Sequence, residues 1–390
     1  FSWVAISIIS IQHIQHIISK HRYIHSFIQI MDVQQHHSLG ADNLPTGGMI
    51  SLVNEQEVVR RAGRQAISAF LDSHNCFSVL RASGKVVVFD TRIPIQLAFY
   101  ALVEHDMQAA PLWDPSICQF VGLLKVTDFI DILRHYRATN SNVSSLATRS
   151  IAEMFHDPTL KHAVGIKLGF GCADSSTTLK QACQLLLAGD NSGDNLSTGA
   201  TSHGDFLPIV FPEDMRVLGC ITYTNILEHL VTHFREQRRL FDDSIYDLKI
   251  GTYHDRLVTV TPQQTLAQAL ELMHQHQLGA LPVVESTTSR KLVGVYSRSD
   301  ITFLTKATDA EDAVANLDLT LAEVLEQQRT DVTTPDAMHT CSTTHTLQSI
   351  FEYFAQLRFN RLFVVDAETG EGLVGVVSAK DLVAYFMNDY

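Results

Sequence analysis

Val121-Gly-Leu-Leu-Lys-Val-Thr-Asp-Phe129 is the stretch whose reading decides the fold, because the chain uses it four times. It returns as LGCITYTNI (Leu218 to Ile226), VGVYSRSDI (Val293 to Ile301) and VGVVSAKDL (Val374 to Leu382). In each copy a glycine is followed at the sixth position by Asp128, Asn225, Asp300 or Asp381. Pro111, Pro208, Pro282 and Phe363, each in a short apolar run, lie eleven, eleven, twelve and twelve residues before those glycines. Four coincidences in register define an internal repeat.

Working outward, each copy has a helical run ahead of it, Leu97 to Glu104, Leu179 to Leu187, Leu266 to Met273 and Leu347 to Phe354, with apolar residues at spacings of three and four. Two apolar strands joined by a polar turn follow, then a second helix that begins at the Asp or Asn. The unit therefore reads strand, helix, strand, strand, helix, an α/β arrangement. A unit this small cannot cover both faces of its own sheet, so it is expected to pair with a neighbour.

These units resemble cystathionine β-synthase (CBS) domains, which pair into Bateman modules. More narrowly, the chain is similar to the γ-subunit family of AMP-activated protein kinase. The first repeat carries VVVFDTRIPIQLAFYALVEHDMQAAPLWD and FVGLLKVTDFIDIL, the third KIGTYHD, LGALPVV and VYSRSD, and the fourth FNRLFVVD and VGVVSAKD. In the second repeat the likeness rests on LPIV and GCITYTNIL. The resemblance implies four CBS repeats paired into two Bateman modules that form a flat disc. The expected boundaries are 1–53 for an extension outside the fold, 54–138, 139–234 with a flexible insertion at 189–204, 235–310, and 311–390.

Composition agrees with this reading. A length of 390 residues suggests two or three domains at about 150 residues each. A net charge of −13 argues against binding nucleic acid through its phosphates. The six cysteines are scattered without a CxxC pair, which points to reduced thiols in a cytoplasmic or nuclear protein and away from a zinc site. No apolar run is long enough for a bilayer.

Residues Phe1 to Ile30 contain no acid and mix isoleucine with His13, His16, His21 and His25. They read as an extension, with a weakly signal-like apolar stretch and a metal site as the alternatives. Asn54 and Glu57 have the spacing of a capping box and set the expected start of a helix, Glu55 to Leu71. Val58, Ala62, Ala66, Ala69 and Phe70 lie on its apolar side, expected to pack the first repeat on its partner. Thr139 to Ser150 and Thr305 to Leu319 read as connectors, and Phe234 to Asp247 as a charged hinge. The GFG within Gly165 to Asp174 lacks the strand and third glycine of a dinucleotide fingerprint.

A carboxylate in the first turn of a helix caps backbone amides and is favoured by the helix dipole. It is also able to accept both hydroxyls of a ribose. The resemblance assigns that second role to Asp128, Asp300 and Asp381 and implies a weak or empty pocket at Asn225. It carries further nucleotide-binding positions onto Thr127, Thr252, Leu278, Gly279, Ala280 and Ser378. The basic centre that holds phosphates in the family is thinned. Its positions are Gln108, Asp205, Phe206, Thr224 and Asn360, with Arg361 kept. Lys125, Arg298 and Lys380 are the substitutes at hand. The pocket of Asp381, with Thr252, Gly279, Ala280 and Ser378, is expected to be the most intact, and that of Asp300, with Arg298 and Arg361, the second.

No GxSxG elbow, Walker loop, HExxH or kinase motif set is present, and no catalytic centre or cofactor is expected. The resemblance implies a regulatory subunit that binds AMP, ADP and ATP and docks on kinase α and β subunits, with no nucleic-acid or membrane partner. Two other classes stay open: a γ-like scaffold that has lost nucleotide sensing, and a CBS regulator of another enzyme or transporter that binds an adenosyl compound.

Overall fold

The computed structural model describes residues 46–80, 86–105, 107–160, 169–191, 205–234, 241–298, 300, 310–328, 338–357, 360–370 and 372–388. Glu57–Tyr390 forms one compact unit, and Phe1–Gln56 is a second of which the start of helix α1 (Thr46–Ser73) is described. His13, His16, His21 and His25 lie outside the described residues, as do 165–168 and 192–204.

The first repeat runs β1 (Phe89–Asp90), α2 (Ile95–Glu104), β2 (Ala109–Asp114), β3 (Gln119–Lys125) and α3 (Val126–Ala138). Its strands pair in the order β1-β2-β3, parallel and then antiparallel. A short helix α4 (Ile151–His156) leads to the second repeat, β4 (Ala173–Asp174), α5 (Leu179–Asn191), β5 (Leu207–Val210), β6 (Val217–Ile221) and α6 (Tyr223–His233), with the same pairing. In the third, Val260 bridges parallel to Val283, and α7 (Leu266–His276) leads to the antiparallel pair β8 (Ala280–Val284) and β9 (Leu292–Ser297). The fourth follows α8 (Ala310–Ala315) and α9 (Leu321–Gln328). It consists of β10 (Thr340–Ser342), α10 (Leu347–Leu357), β11 (Arg361–Val365), β12 (Leu373–Ser378) and α11 (Ala379–Met387). The strand-helix-strand-strand-helix unit expected from the sequence is observed in the first, second and fourth repeats, and in the third the described residues show it as far as β9.

The apolar faces set how the units meet. In α2, Ile95, Ala98, Phe99 and Leu102 are buried at spacings of three and four, which places them on one side of the helix. They join α3 and residues of the third repeat in one core, in which Phe99 and Phe129 stack at 4.1 Å. The second and fourth repeats share another core, closed by Phe351 against Phe386 at 4.9 Å. Val284, Val295, Phe363 and Leu373 join the third repeat to the fourth. Phe120 stacks on Phe170 at 4.9 Å, and the Gly169 amide donates to the Val121 carbonyl at 3.0 Å, between the first repeat and the segment entering the second. The four units therefore close a ring in the order one, two, four, three: sheets join the members of each sequential pair, and helices join the pairs.

The recurring glycines mark where one member of a pair crosses the other. A Cβ on Gly375 would strike the ring of Tyr253, from the short strand β7 (Thr252–Tyr253) that lies antiparallel to β12. On Gly294 it would come within 2.7 Å of Leu325 in α9, and on Gly219 within 3.0 Å of Leu80. The chain entering the third repeat thus covers the fourth, the chain entering the fourth covers the third, and the chain entering the first covers the second. Only glycine leaves room for such an approach.

Several local expectations are corrected. Helix α1 starts at Thr46, so Asn54 and Glu57 lie within it and not at its start. Its docked side is Gly63, Ile67 and Leu71, while Val58, Ala62 and Ala69 are exposed. Ile67 and Leu71 enter the core of the second and fourth repeats, not the first, each contributing ~1.5 to 3 kcal/mol by burial. Arg60 fixes the helix further by donating to Asp243 at 2.9 Å. The connector 139–150 contains a 3-10 turn, Val143–Ala147, and Ser150 caps α4 together with Glu153. The stretch 305–319 contains α8 and a second 3-10 turn, Asn316–Asp318. All six cysteines are free, and burial pushes the thiols of Cys76, Cys183, Cys220 and Cys341 up to about 12, which leaves them protonated at neutral pH.

Candidate functional site

In the described helices α3, α6 and α11 the recurring residue, Asp128, Asn225 or Asp381, is the third of its helix rather than the first. In α11 the Asp381 carboxylate accepts from the Ser378 amide at 2.8 Å and the Ser378 hydroxyl at 2.7 Å, both on Oδ2, while its own amide donates to Ser378 Oγ at 3.3 Å. Asp128 accepts from the Lys125 amide at 2.9 Å and lies 3.6 Å from Lys125 Nζ. Asn225 closes the same box with Thr222 at 3.0 Å. Asp300 donates its amide to the Ser297 carbonyl at 3.0 Å. Each side chain reaches back because the first amides of a helix lack intrahelical acceptors. Thr127 lies between the capped and capping residues of α3, partly buried.

A second residue per repeat lies three positions before the recurring proline or Phe363: Gln108, Asp205, Gly279 and Asn360. Each immediately precedes or nearly precedes the middle strand of its sheet. The carbonyls of Gln108, Gly279 and Asn360 accept from the amides of Val126, Arg298 and Ala379 at 3.0, 2.9 and 3.1 Å. This bond ties the turn before the middle strand to the start of the second helix, and so brings the turn residue beside the recurring acid. All four turn residues are exposed.

These turns meet across the repeats. Thr224 donates to Asn360 Oδ1 at 3.3 Å, joining the second repeat to the fourth. Arg361 donates to the Gly279 carbonyl at 3.2 Å and to Ser297 Oγ at 3.4 Å, joining the fourth to the third. A Cβ on Gly279 would lie 3.4 Å from the Arg361 guanidinium, so the glycine admits the arginine. Desolvation by the surrounding protein atoms pushes the Asp205 carboxyl up, against the pull of Arg361 and Lys125. The site is thus a hub at which the second, third and fourth repeats meet.

Of the residues singled out in the sequence, Gly279, Arg298 and Arg361 come together at this hub, where Ser297, not singled out there, joins them. Thr252 pairs with Val376 in the β7 to β12 ladder, which places it two residues before Ser378 along β12. Ala280 opens β8 opposite Ser297, and Leu278 packs partly buried against the core of the first and third repeats. Lys380 is half-buried on α11, where burial pushes its pKa down and Asp381 beside it pulls up.

Arg298, one of the candidate phosphate contacts, is engaged by an acid of another repeat. Its guanidinium is in contact with the Asp131 carboxylate of α3. Asp131 is 5% exposed, with Arg134 at 3.8 Å and His274 at 3.9 Å as its other basic neighbours. Burial pushes the Asp131 carboxyl up, against the pull of Arg298, Arg134 and His274. Arg134 continues the network to Glu271 at 2.5 Å. The sequence reading passed over Asp131, although an acid between Ile130 and Ile132 in an apolar helix face is the signal that marks it.

Among the described residues no group of three His, Cys, Asp or Glu side chains has the geometry to hold a metal, and no helix is long and apolar enough to cross a membrane. An open polar cleft of about 220 Å³ lies away from the hub, lined by His135, Ser141, Asn142, Arg149, Asp157 and Thr159. Arg149 already donates to Asp157 at 2.9 Å and to the Tyr136 hydroxyl at 2.9 Å there.

The CBS domain family model matches residues 250–305 and 329–388, the third and fourth repeats. The chain is 30% identical over 358 residues to the 5′-AMP-activated protein kinase subunit gamma of Dictyostelium discoideum, covering 90% of this chain and 58% of that protein. It is 29% identical over 328 residues to the human subunit gamma-3, covering 83% of this chain and 61% of that protein. The chain thus spans less than two thirds of the relatives it matches. The crystal structure of protein MJ1225 from Methanocaldococcus jannaschii, proposed to be an archaeal homolog of γ-AMPK, superimposes with a TM-score of 0.60 at 17% identity, covering 80% of this chain and 99% of that one. With one strand and helix unit recurring along the chain and this likeness running along most of its length, the chain carries CBS domains at 250–305 and 329–388 and is similar to the γ subunits of AMP-activated protein kinase.

Proposed function

We propose that this chain is the regulatory γ subunit of a heterotrimeric kinase of the AMP-activated type, binding adenine nucleotides and performing no catalysis itself. The observation that carries the reading is the 30% identity to a γ subunit across 90% of the chain. The hub supports it, because Asp128 and Asp381 stand in the first turns of their helices beside turns from neighbouring repeats. In this reading Asp128, Asp300 and Asp381 hold ribose. Thr127, Lys125 and Gln108 serve the first cleft, Arg298 and Arg361 the second. Thr252, Leu278, Gly279, Ala280, Ser378 and Lys380 serve the third. Regulation is by linkage: AMP, ADP and ATP bind two arrangements of the kinase unequally and shift it by that difference. Kinase α and β subunits are the partners, and the cytoplasm, with the nucleus, is the compartment.

A second reading, a γ-like scaffold without sensing, is favoured by the Asp131 to Arg298 pair, which occupies one of the few cations left for phosphate. Two measurements decide. Copurification of α and β kinase subunits with the tagged chain is expected, and their absence rejects the kinase assignment. Calorimetry with AMP, ADP and ATP is expected to find fewer than three sites, one of them removed by Asp381→Ala; three tight sites, or sites indifferent to that substitution, reject the residue assignment.

A further inference from the structure

Asp131 lies three residues after Asp128 in α3, on the same face of the helix, and its carboxylate is in contact with the guanidinium of Arg298 from the third repeat. Both side chains are largely buried. Around them α3 and α7 interlock, with Arg134 reaching Glu271 at 2.5 Å and His274 lying 3.9 Å from Asp131. In the joint between the second and fourth repeats the equivalent positions are Glu228 with Ala379 and Tyr223 with Ala384. Neither combination sets an acid against a cation. At these positions a charge lock joins the first repeat to the third and has no counterpart in the other joint.

The backbone of Arg298 belongs to the hub. Its amide donates to the Gly279 carbonyl at 2.9 Å, and Arg361 donates to the same carbonyl at 3.2 Å and to Oγ of the adjoining Ser297 at 3.4 Å. Asp300, which the proposed function gives to ribose, is two residues further on. Arg298 therefore starts beside the cleft and ends in the joint. A guanidinium binds carboxylate and phosphate through the same fork of N–H donors, and its three-carbon stem lets it turn from one to the other. When it turns, Asp131 is left with Arg134 at 3.8 Å and His274 at 3.9 Å, both longer than hydrogen bonds. A desolvated carboxylate that loses its partner favours an opened joint.

Resting on the adenine-nucleotide reading above, we infer that Arg298 is a switch residue shared between Asp131 and the phosphate of a nucleotide in the Asp300 cleft. A nucleotide takes Arg298 from Asp131 and loosens the joint between the first and third repeats, whereas a bare nucleoside leaves the joint closed. The charge on the phosphates sets how far the exchange goes, and this gives AMP, ADP and ATP their unequal preferences for the two arrangements.

The test is amide hydrogen exchange in α3 of the full chain, saturated with adenosine, AMP or ATP, with calorimetry to establish binding. AMP and ATP are expected to leave α3 exchanging about tenfold faster than adenosine does. Asp131→Leu with Arg298→Met replaces the lock by an apolar pair and is expected to abolish that difference. Asp131→Asn, a weaker competitor for the guanidinium, is expected to tighten AMP about tenfold at one site and to leave adenosine unchanged. If either variant fails to fold, the other and the unmodified chain decide. Equal exchange in α3 with AMP and adenosine both bound overturns the inference and leaves the adenine-binding reading intact. So does a difference that survives in the folded double variant, or an AMP affinity unmoved in folded Asp131→Asn. Failure of all three compounds to bind overturns both.

Discussion

Asn225 in α6 and Asp381 in α11 make the same cap: Asn225 Oδ1 accepts the Thr222 amide and hydroxyl at 3.0 Å, and Asp381 Oδ2 accepts the Ser378 amide and hydroxyl at 2.8 and 2.7 Å. The second repeat is therefore a control, within one chain, for what the helix start needs. An amide oxygen suffices to cap it, so charge at this position is surplus to folding.

Asp381→Asn is expected to keep the cap, with unfolding free energy within about 0.5 kcal/mol of the unmodified chain, and to lose the nucleotide site that depends on the carboxylate. Asp381→Ala is expected to lose both, costing about 1 kcal/mol as a missing cap. Urea unfolding together with calorimetry separates the two effects. If Asp381→Asn retains full AMP affinity, the acid serves only the helix.

Asp131 and Arg298 tie the first repeat to the third through a buried pair. Removing one partner leaves the other charge desolvated and unmatched. Asp131→Ala is expected to cost about 3 to 5 kcal/mol by urea unfolding. Replacing both, Asp131→Leu with Arg298→Met, should recover most of that loss, since an apolar pair of similar volume avoids the desolvation altogether. A double variant as unstable as the single one would show that the pair itself, and not the orphaned charge, holds the repeats together.

Gly294 and Leu325 meet where the chain entering the fourth repeat crosses β9, with 2.7 Å between Leu325 Cδ1 and the position a Cβ would take. Gly294→Ala is expected to destabilise by about 1 to 3 kcal/mol through overpacking. Leu325→Ala should open the space, so that adding Gly294→Ala to it costs little. A double-mutant cycle measures this coupling, and additive effects would place the strain elsewhere.

How much of this was legible before the structure depends on the range of the interaction. The helix-start positions Asp128, Asn225 and Asp381 were readable because capping is local: each bonds within three residues of itself. The glycines were readable as markers but not as contacts, because the residues that require them, Leu80, Tyr253 and Leu325, lie in segments more than 30 positions away. The same distance hid Asp131, whose partner Arg298 belongs to another repeat. Helix α1 was misjudged for a related reason. Its alanines look apolar in any projection, but which side docks was decided by Ile67 and Leu71 finding the second and fourth repeats, a choice that local periodicity does not contain.

His229 couples the docking of α1 to pH. It is 8% exposed on α6, with His74 at 5.2 Å, His233 at 4.3 Å and Phe70 of α1 at 5.9 Å between ring centroids. Its Nε2 is buried without a hydrogen-bond partner among the described residues. Burial, helped by His233 and His74, pushes its pKa down to about 4, below the ordinary 6.5. A histidine held neutral in the fold contributes its stability fully above the unfolded value of 6.5 and loses it as pH falls from there toward 4. The loss over that window is on the order of 3 kcal/mol. His229→Leu removes the titrating ring and is expected to flatten the stability curve between pH 6.5 and 4, leaving only the slope from carboxylates. The measurement is urea unfolding of both proteins across that range. Parallel curves would mean that His229 protonates as freely in the fold as in the unfolded chain, and that α1 docks without regard to its charge.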